Sequence, residues 1–171
     1  APTDRRTSAL MQPSVDYLVG AGLIGDPAAI GHPLTEIRLI DATPRLLRAP
    51  ETLFSSAEAG IAAFGWNFTN IALLASFEAA RARLPGITTI EGMAADLQRE
   101  PEGWVLRLPD GQSFVAPLIV GADGKKSFVR SAGGFRAREH GFSQAALVCD
   151  LALGRPLGGT SVEFHYPQGP F

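Results

Sequence analysis

The stretch "LIVGADGKKSFVRSAGG", residues 118–134, decides the fold class. The apolar run at residues 118–120 predicts a buried strand, and Gly121 and Gly124 permit a tight turn with close backbone approach. Ser127 follows at a position where its hydroxyl can cap a short helix. Strand, glycine turn and helix in this order are typical of the ligand-binding edge of an open α/β sheet, although an ordinary β-turn-α connection has the same spacing.

A second glycine motif, "YLVGAGLIGD" at residues 17–26, has the G-x-G-x-x-G spacing of many dinucleotide-binding sites. A working site of that kind needs a strand before the glycines and a helix after them. Here a helical apolar stripe predicts a helix over about residues 12–20, and prolines follow the motif. The motif is therefore interpreted as a helix end, with Gly20 or Gly22 in the left-handed cap conformation.

Four other patterns predict the remaining elements. A helix is expected from Asn70 through "IALLASFEAARARL", with Ile71, Leu74, Phe77 and Leu84 on its apolar side. The turn signals "EPEG" and "PDG" predict a three-stranded antiparallel meander, and "EIRLIDATPRLLRAPETLF" predicts a hairpin with a four-residue turn. The runs "AALVCDLAL" and "SVEFHYP" are interpreted as further antiparallel strands. Together these patterns indicate an α/β fold of mixed α+β character.

The amino-acid composition argues against several classes of function and site. The 171 residues are 46% hydrophobic, carry a net charge of −2 and disperse their lysines and arginines, which argues against a nucleic-acid partner. The single cysteine, Cys149, excludes an intrachain disulfide framework and is interpreted as a small core residue. None of the three histidines has a partner at metal-ligand spacing, so no metal site is expected. No apolar run is long enough for a membrane span or signal peptide, which predicts a cytoplasmic address.

Several motifs resemble one enzyme family over essentially the whole chain. "GADGKKSFVR" resembles the G-A-D-G-x-x-S-x-V-R signature of the FAD-dependent aromatic hydroxylases of the p-hydroxybenzoate hydroxylase type. "DRRTSALMQPSVDYLVGAGLI" is similar to their D-x-R-x-x-A-L stretch and the helix that follows it. "FGWNFTNIALLASF" resembles a segment that ends in a polar residue before a helix, and "GFSQAALVCDLAL" resembles an aromatic-x-Q-x-A-x-V strand. The branch with the greatest likeness is that of the ubiquinone-biosynthesis hydroxylases.

The resemblance implies an architecture of two partial domains. Residues 1–36 and 64–136 correspond to part of a three-layer FAD-binding domain with a β-meander. Residues 37–63 and 137–171 correspond to part of a substrate domain built on an antiparallel sheet. Family members also carry an early strand with a true G-x-G-x-x-G and a late G-D-A-A-H-type motif, and neither is present in this sequence. The chain is therefore expected to be the central part of a longer hydroxylase, with an incomplete FAD site.

The implied activity is an FAD-dependent monooxygenation in which NADPH or NADH is the reductant and one oxygen atom enters an aromatic ring. The specific expectation is a polyprenylated phenol of ubiquinone biosynthesis, with peripheral attachment to the inner membrane and association into homo-oligomers left open. Two alternatives remain: a cofactor-free remnant or interaction module without activity, and a related flavoenzyme such as a halogenase or reductase.

Site residues carried over from the resemblance are all cofactor-binding. They are Arg6, Asn70, Asp123, Gly124 and Arg130. Arg6 is expected near the flavin and pyrophosphate, and Asn70 is expected to cap its helix and to offer an amide to the ribityl or phosphate region. Asp123 and Gly124 resemble the pair that organises FAD and the reduced nicotinamide nucleotide, with Arg130 bracing their loop. No catalytic residue is assigned.

Overall fold

A computed structural model describes residues 4, 6–143, 145–149 and 151–170 of the chain. Its internal contacts form two compact units, the first comprising Ala1–Ile87 with Ala146–Phe171 and the second Thr88–Ala145. The assignment of residues 1–36 with 64–136 to a flavin domain, and of the rest to a substrate domain, stays a prediction.

The first unit contains most of the regular structure. In chain order its elements are β1 (Thr7–Met11), α1 (Gln12–Gly20), a 3-10 turn (Pro27–Ala29), β2 (Gly31–Leu34), β3 (Glu36–Asp41), β4 (Thr52–Ser55), β5 (Gly65–Thr69) and α2 (Asn70–Ala82), and, after the second unit, β9 (Thr160–Tyr166) and β10 (Gly169–Pro170). The second unit contributes β6 (Asp96–Glu100), β7 (Gly103–Arg107), β8 (Ser113–Ala116) and α3 (Phe128–Ala132). The predicted α/β fold of mixed character is confirmed.

The core of the first unit forms around β5, the central strand of an antiparallel sheet with the order β1-β5-β2. Phe68 on β5 and Val15 on α1 are fully buried, and they pack with Ile24 and Leu73. On α2 the apolar side that meets the core runs through Leu73, Phe77 and Ala80. The spacing of these three residues, four and then three, is that of one helix face.

The predicted apolar side of α2 was therefore partly wrong. Phe77 contacts the core as expected, but Ile71 and Leu74 are 48% and 58% exposed. Residues 71, 74 and 77 also share a helix face, so periodicity alone could not separate that face from the one through Leu73.

The glycine motif at residues 17–26 is a helix end, as predicted. Helix α1 ends at Gly20, and Gly22 has a φ of +68°, in the left-handed region that favours glycine. The Gly22 N–H donates to the Val19 carbonyl and the Leu23 N–H to the Leu18 carbonyl, both at 2.9 Å. These bonds satisfy the carbonyls that the last turn of a helix leaves without intrahelical partners.

A second, mixed sheet has the strand order β10-β9-β3-β4. The predicted hairpin is present, since β3 and β4 pair antiparallel, but residues 42–51 form a longer connection than the expected four-residue turn. The strand within "SVEFHYP" is β9. It pairs antiparallel with β10, as expected, but it also pairs parallel with β3, which was not expected. A parallel pair needs a long crossover, and the chain between β3 and β9 is long enough to supply it.

The Asp41 carboxylate closes the connection between β3 and β4. Its two oxygens accept hydrogen bonds from the backbone N–H groups of Thr43 and Ala49, each at 2.9 Å. The Thr43 side chain and these N–H groups lower the pKa of Asp41 from 3.8 to about 2.

Acid is expected to weaken this connection. Because the folded pKa of Asp41 is depressed, its contribution to the free energy of unfolding is present above pH 3.8 and is lost as the pH falls toward about 2. The difference in unfolding free energy between the wild type and Asp41→Asn, measured by urea titration, should therefore shrink over that range. Glu58→Gln, which removes an exposed carboxylate from the same unit, serves as the control for the loss of one negative charge. A wild-type advantage that stays constant down to pH 2 would contradict the role of the ionised Asp41.

The second unit contains the predicted meander, an antiparallel sheet with the order β6-β7-β8. Arg107 on β7 reaches carboxylates of Asp96 and Glu100 on β6, with N–O distances of 3.0 and 2.6 Å. Helix α3 packs against β6. The meander was predictable because both of its turns carry strong local signals.

Two predicted strands are absent from the described residues. Residues 118–120 pair with no described strand, and Leu118 and Val120 are 72% and 77% exposed. The stretch "AALVCDLAL" forms no strand at 145–149 or 151–153, and Leu147 and Cys149 are exposed, so the interpretation of Cys149 as a core residue was wrong. An apolar run becomes a strand only where a neighbouring strand takes its backbone hydrogen bonds. Gln144, in the expected aromatic-x-Q-x-A-x-V strand, lies outside the described residues.

Candidate functional site

Pairing of β1 with β5 brings two of the predicted site residues together. The register places Thr7 opposite Thr69, so the residue before β1 lies beside the first turn of α2. The Asn70 N–H donates to the Arg6 carbonyl at 3.0 Å. Arg6 and Asn70, predicted from separate motifs, are therefore neighbours.

The Asp4 carboxylate joins these two residues. Arg6 donates to it through Nε at 2.8 Å and Nη2 at 2.9 Å, a two-pronged ion pair, and also through its backbone N–H at 3.1 Å. The Asn70 amide donates from Nδ2 to Oδ2 of Asp4 at 2.9 Å, while its Oδ1 accepts from the Ser8 hydroxyl at 2.6 Å. We call Asp4, Arg6, Ser8 and Asn70 the Asp4 network.

The Asp4 carboxylate and the Arg6 guanidinium each stabilise the charged form of the other. The Arg6 guanidinium, followed by the Asn70 amide, holds the pKa of Asp4 well below its usual range, and Asp4 in turn raises the pKa of Arg6. The pair is therefore ionised at neutral pH. The Arg6 side chain remains 71% exposed, against 30% for Asp4, so the outer face of the guanidinium is accessible to an anion.

Asn70 does not cap its helix, contrary to the prediction. The cap of α2 is Thr69, whose side-chain oxygen accepts from the Ala72 N–H at 3.2 Å. The Asn70 amide is consequently free of the capping role and joins the Asp4 network instead. Asp4 and Ser8 were not singled out from the sequence, although both lie in the quoted "DRRTSAL" segment, where the D-x-R spacing was the available signal.

The other three predicted residues lie in one loop of the second unit. The Asp123 carboxylate accepts from the Val129 N–H at 3.1 Å, and the Arg130 guanidinium donates to the Lys125 carbonyl at 2.8 Å. The predicted cap is confirmed, since the Ser127 hydroxyl accepts from the Arg130 N–H at 3.0 Å. The Ser127 side chain and then the Val129 N–H lower the pKa of Asp123, so its carboxylate is ionised at neutral pH.

Two glycines shape this loop. Gly124 has a φ of +85°, a conformation that other residues adopt only at a cost. A Cβ at Gly121 would lie 2.9 Å from the Cβ of Val129, so the turn packs against α3 only without a side chain. Beside Asp123 lies a largely apolar groove of about 530 Å³, which Leu106, Leu118 and Val120 help to line.

Each of the two places, taken by itself, offers polar groups that suit part of a dinucleotide cofactor. An exposed, oriented guanidinium matches a phosphate oxygen, and a side-chain amide matches a hydroxyl or phosphate oxygen. The apolar groove beside Asp123 offers a surface for a flat ring. Among the described residues, no group of three His, Cys, Asp or Glu side chains could hold a metal ion, and no helix is long and apolar enough to cross a membrane.

Comparison with known proteins gives clear relatives. No protein-family model matches the chain. Ubiquinone hydroxylase UbiL from Rhodospirillum rubrum is 32% identical over 98% of the chain, and 3-demethoxyubiquinol 3-hydroxylase from Escherichia coli is 25% identical over 98% of it. The chain spans 38% and 42% of the lengths of these two relatives.

A solved structure agrees in fold. The tetracycline destructase Tet(51) superposes on 77% of the chain and 32% of its own length, with a TM-score of 0.51 and 14% identity, which shows a shared fold and no more. The sequence relatives carry the family likeness. The predicted resemblance is therefore confirmed: along nearly its whole length the chain is similar to ubiquinone hydroxylase UbiL and to 3-demethoxyubiquinol 3-hydroxylase.

Proposed function

We propose that these residues form part of an FAD-dependent monooxygenase that uses NADPH or NADH to hydroxylate the aromatic ring of a polyprenylated phenol in ubiquinone biosynthesis. The observation that carries the proposal is the 32% identity to ubiquinone hydroxylase UbiL over 98% of the chain. The second relative, 3-demethoxyubiquinol 3-hydroxylase, supports the same reaction class. A long polyprenyl tail on the substrate also favours peripheral association with a membrane.

The Asp4 network is proposed to hold the polar part of FAD. Arg6 would bind a phosphate oxygen with the exposed face of its guanidinium. Asp4 holds the guanidinium in one orientation by accepting two hydrogen bonds from it. Asn70, oriented by Asp4 and Ser8, would offer its amide to the ribityl or phosphate region. When bound, FAD supplies the redox chemistry that activates oxygen, and these side chains supply binding and orientation.

The loop of the second unit is proposed as another contact for FAD or the nicotinamide nucleotide. The ionised Asp123 carboxylate can accept hydrogen bonds from hydroxyl groups of a ribose or ribityl chain. Gly124 lets the backbone approach a ligand closely, since no atom of the described residues lies within 4 Å of where a Cβ would be. Arg130 braces the loop through the Lys125 carbonyl, which keeps Asp123 in position.

The test uses the purified gene product that contains these residues. We expect it to bind FAD and, with NADPH or NADH and oxygen, to add one oxygen atom to a polyprenylated phenol, detected by mass spectrometry. Reduced nucleotide oxidised without a change in the mass of the phenol would contradict the hydroxylation. A protein that binds no FAD would contradict the whole proposal.

A pair of arginine variants tests the Asp4 network. Arg6→Gln is expected to weaken FAD binding about tenfold or more, because a charge-assisted hydrogen bond contributes about 1.5–3 kcal/mol. Arg48→Gln removes the same charge from an exposed loop position and should leave FAD affinity unchanged. The measurement is the dissociation constant from quenching of flavin fluorescence, and equal affinity of the two variants would argue against the role of Arg6.

A further inference from the structure

The connection between β3 and β4, residues 42–51, carries two adjacent leucines that are almost fully exposed. Leu46 is 99% exposed and Leu47 is 88% exposed, and Arg45 and Arg48 flank them. We call residues 45–48 the loop tip. Single exposed leucines are common on protein surfaces, but two together leave a continuous apolar patch in contact with water, which is typical of an interaction surface.

The backbone on both sides of the loop tip is held in place. The Asp41 carboxylate accepts hydrogen bonds from the N–H groups of Thr43 and Ala49, which lie before and after the tip, each at 2.9 Å. Pro44 and Pro50 restrict the backbone further. Because the ends of the connection are ordered before any partner binds, docking the tip costs less conformational entropy than docking a flexible loop would.

The arginines of the loop tip have no acidic partner of their own. Both are exposed, and among the described residues neither forms an ion pair. The nearest acid after the tip, Glu51, pairs instead with Arg38 on β3, with an N–O distance of 3.3 Å. The charge of Arg45 also attracts Asp41, but that carboxylate already accepts two backbone hydrogen bonds. The tip therefore presents two cations beside two apolar side chains.

We propose that the loop tip docks on an anionic lipid bilayer, where its two leucines enter the boundary between headgroups and acyl chains and its two arginines contact lipid phosphates. The inference rests on the membrane association in the proposed function and assigns that association to one surface of the first unit. It involves neither the Asp4 network nor the loop of the second unit.

The order of side chains in the loop tip matches the layers of a bilayer. Phosphates lie at the surface, and acyl chains lie just beneath them, so the leucines can go deeper while the long arginine side chains keep their guanidinium groups at the level of the headgroups. Anionic lipids add an attraction for each cation near the surface. An apolar pocket on a protein would suit the leucines but would leave both arginines without a partner.

The first test measures co-sedimentation of the purified gene product that contains these residues with lipid vesicles. We expect binding to vesicles of phosphatidylcholine and phosphatidylglycerol in equal parts, and weaker binding to phosphatidylcholine alone. The double variant Leu46→Ser, Leu47→Ser should weaken the binding about tenfold or more, because it removes both apolar side chains that enter the bilayer. The control is Leu147→Ser, Val148→Ser, which changes another exposed apolar pair of the same unit that no arginine flanks.

The contribution of charge is tested by a second pair of variants. Arg45→Gln, Arg48→Gln should weaken binding to the anionic vesicles about tenfold, because each cation near such a surface contributes to the attraction. Arg136→Gln, Arg138→Gln removes two exposed charges from the second unit and should have little effect. Equal losses in the two variants would mean diffuse charge attraction and would overturn the proposal. Unchanged circular dichroism spectra would show that the variants keep the fold.

Insertion is tested with Leu46→Trp. Bromine atoms on the acyl chains of the vesicle lipids should quench the fluorescence of this tryptophan, whereas Leu147→Trp should be quenched no more than the wild type. No binding by the wild type, or binding that Leu46→Ser, Leu47→Ser retains in full, would overturn the proposal. A wild-type dimer that the same variant dissociates would place the leucines between two copies of the chain and would overturn it as well.

Hydroxylation of a short-chain, water-soluble phenol, measured without vesicles, separates this proposal from the proposed function. Activity in a protein that binds no vesicles would reject the docking of the loop tip and leave the hydroxylation standing. Vesicle binding that depends on the loop tip in a protein without activity would support the docking and reject the hydroxylation.

Discussion

Phe68→Ala is expected to lower the free energy of unfolding of the first unit by about 3–5 kcal/mol, the usual cost of truncating a buried phenylalanine. Phe68 is fully buried on the central strand β5 and packs with Val15, Ile24 and Leu73. Its ring also lies directly against Gly31 on β2, so nearby backbone would have to move to fill the cavity. The measurement is a urea unfolding curve followed by circular dichroism.

The control for this variant is Phe54→Ala. Phe54 lies on β4 of the same unit but is 48% exposed, so the same truncation removes much less buried apolar surface. Its loss of unfolding free energy should be clearly smaller. Similar losses for the two variants would show that the cluster around Phe68 is not the main core of the unit.

Gly65→Ala should be the most damaging glycine substitution in the first unit. A Cβ at this position would collide with the Leu10 carbonyl oxygen and lie 2.9 Å from the Met11 Cα, both of them backbone atoms of the paired strand β1. Backbone cannot rotate away as a side chain can, so β1 and β5 would have to separate. We expect a loss of about 1–3 kcal/mol, the range for overpacking a tight site, together with weaker FAD binding, because the same pairing brings Arg6 beside Asn70.

Gly20→Ala is the matched control. Gly20 is the last residue of α1, and in the described part of the chain no atom lies within 4 Å of the position a Cβ would take. Alanine favours the helix by about 0.5–1 kcal/mol relative to glycine, so this variant should be as stable as the wild type or slightly more stable. The same effect of both substitutions on the free energy of unfolding would contradict the claim that β1 lies too close to Gly65 for a side chain.

Local signals predicted those parts of the fold that depend on neighbouring residues. Four features are each encoded within a few residues, by a proline, a glycine, a turn or a hydroxyl: helix α1, the left-handed Gly22 just beyond its end, the meander β6-β7-β8 and the Ser127 cap. The parallel pairing of β3 with β9 is a different case, because it depends on residues far apart in the chain. No local pattern distinguishes a parallel partner from an antiparallel one.

The candidate site also combines features that local sequence predicts with features that depend on the pairing of distant strands. Arg6 and Asn70 were found through their motifs, but their connection through Asp4 appears only when β1 pairs with β5. The expectation that Asn70 caps α2 failed because the helix already begins at Asn70, which leaves Thr69, also a favoured cap residue, at the capping position. An error of one residue at a helix start changed the role assigned to a side chain.

The order of the elements along the chain has a consequence for folding during synthesis. The second unit, Thr88–Ala145, is inserted within the first, and β3 must wait for β9 to emerge from the ribosome before their sheet can form. The sheet β1-β5-β2 is complete much earlier and can fold as soon as α2 is made. Contacts between distant segments form slowly because the loop between them must first close. Until then the edge of β3 that pairs with β9 has no partner strand, and an unpaired strand edge in a partly folded chain is prone to wrong pairing.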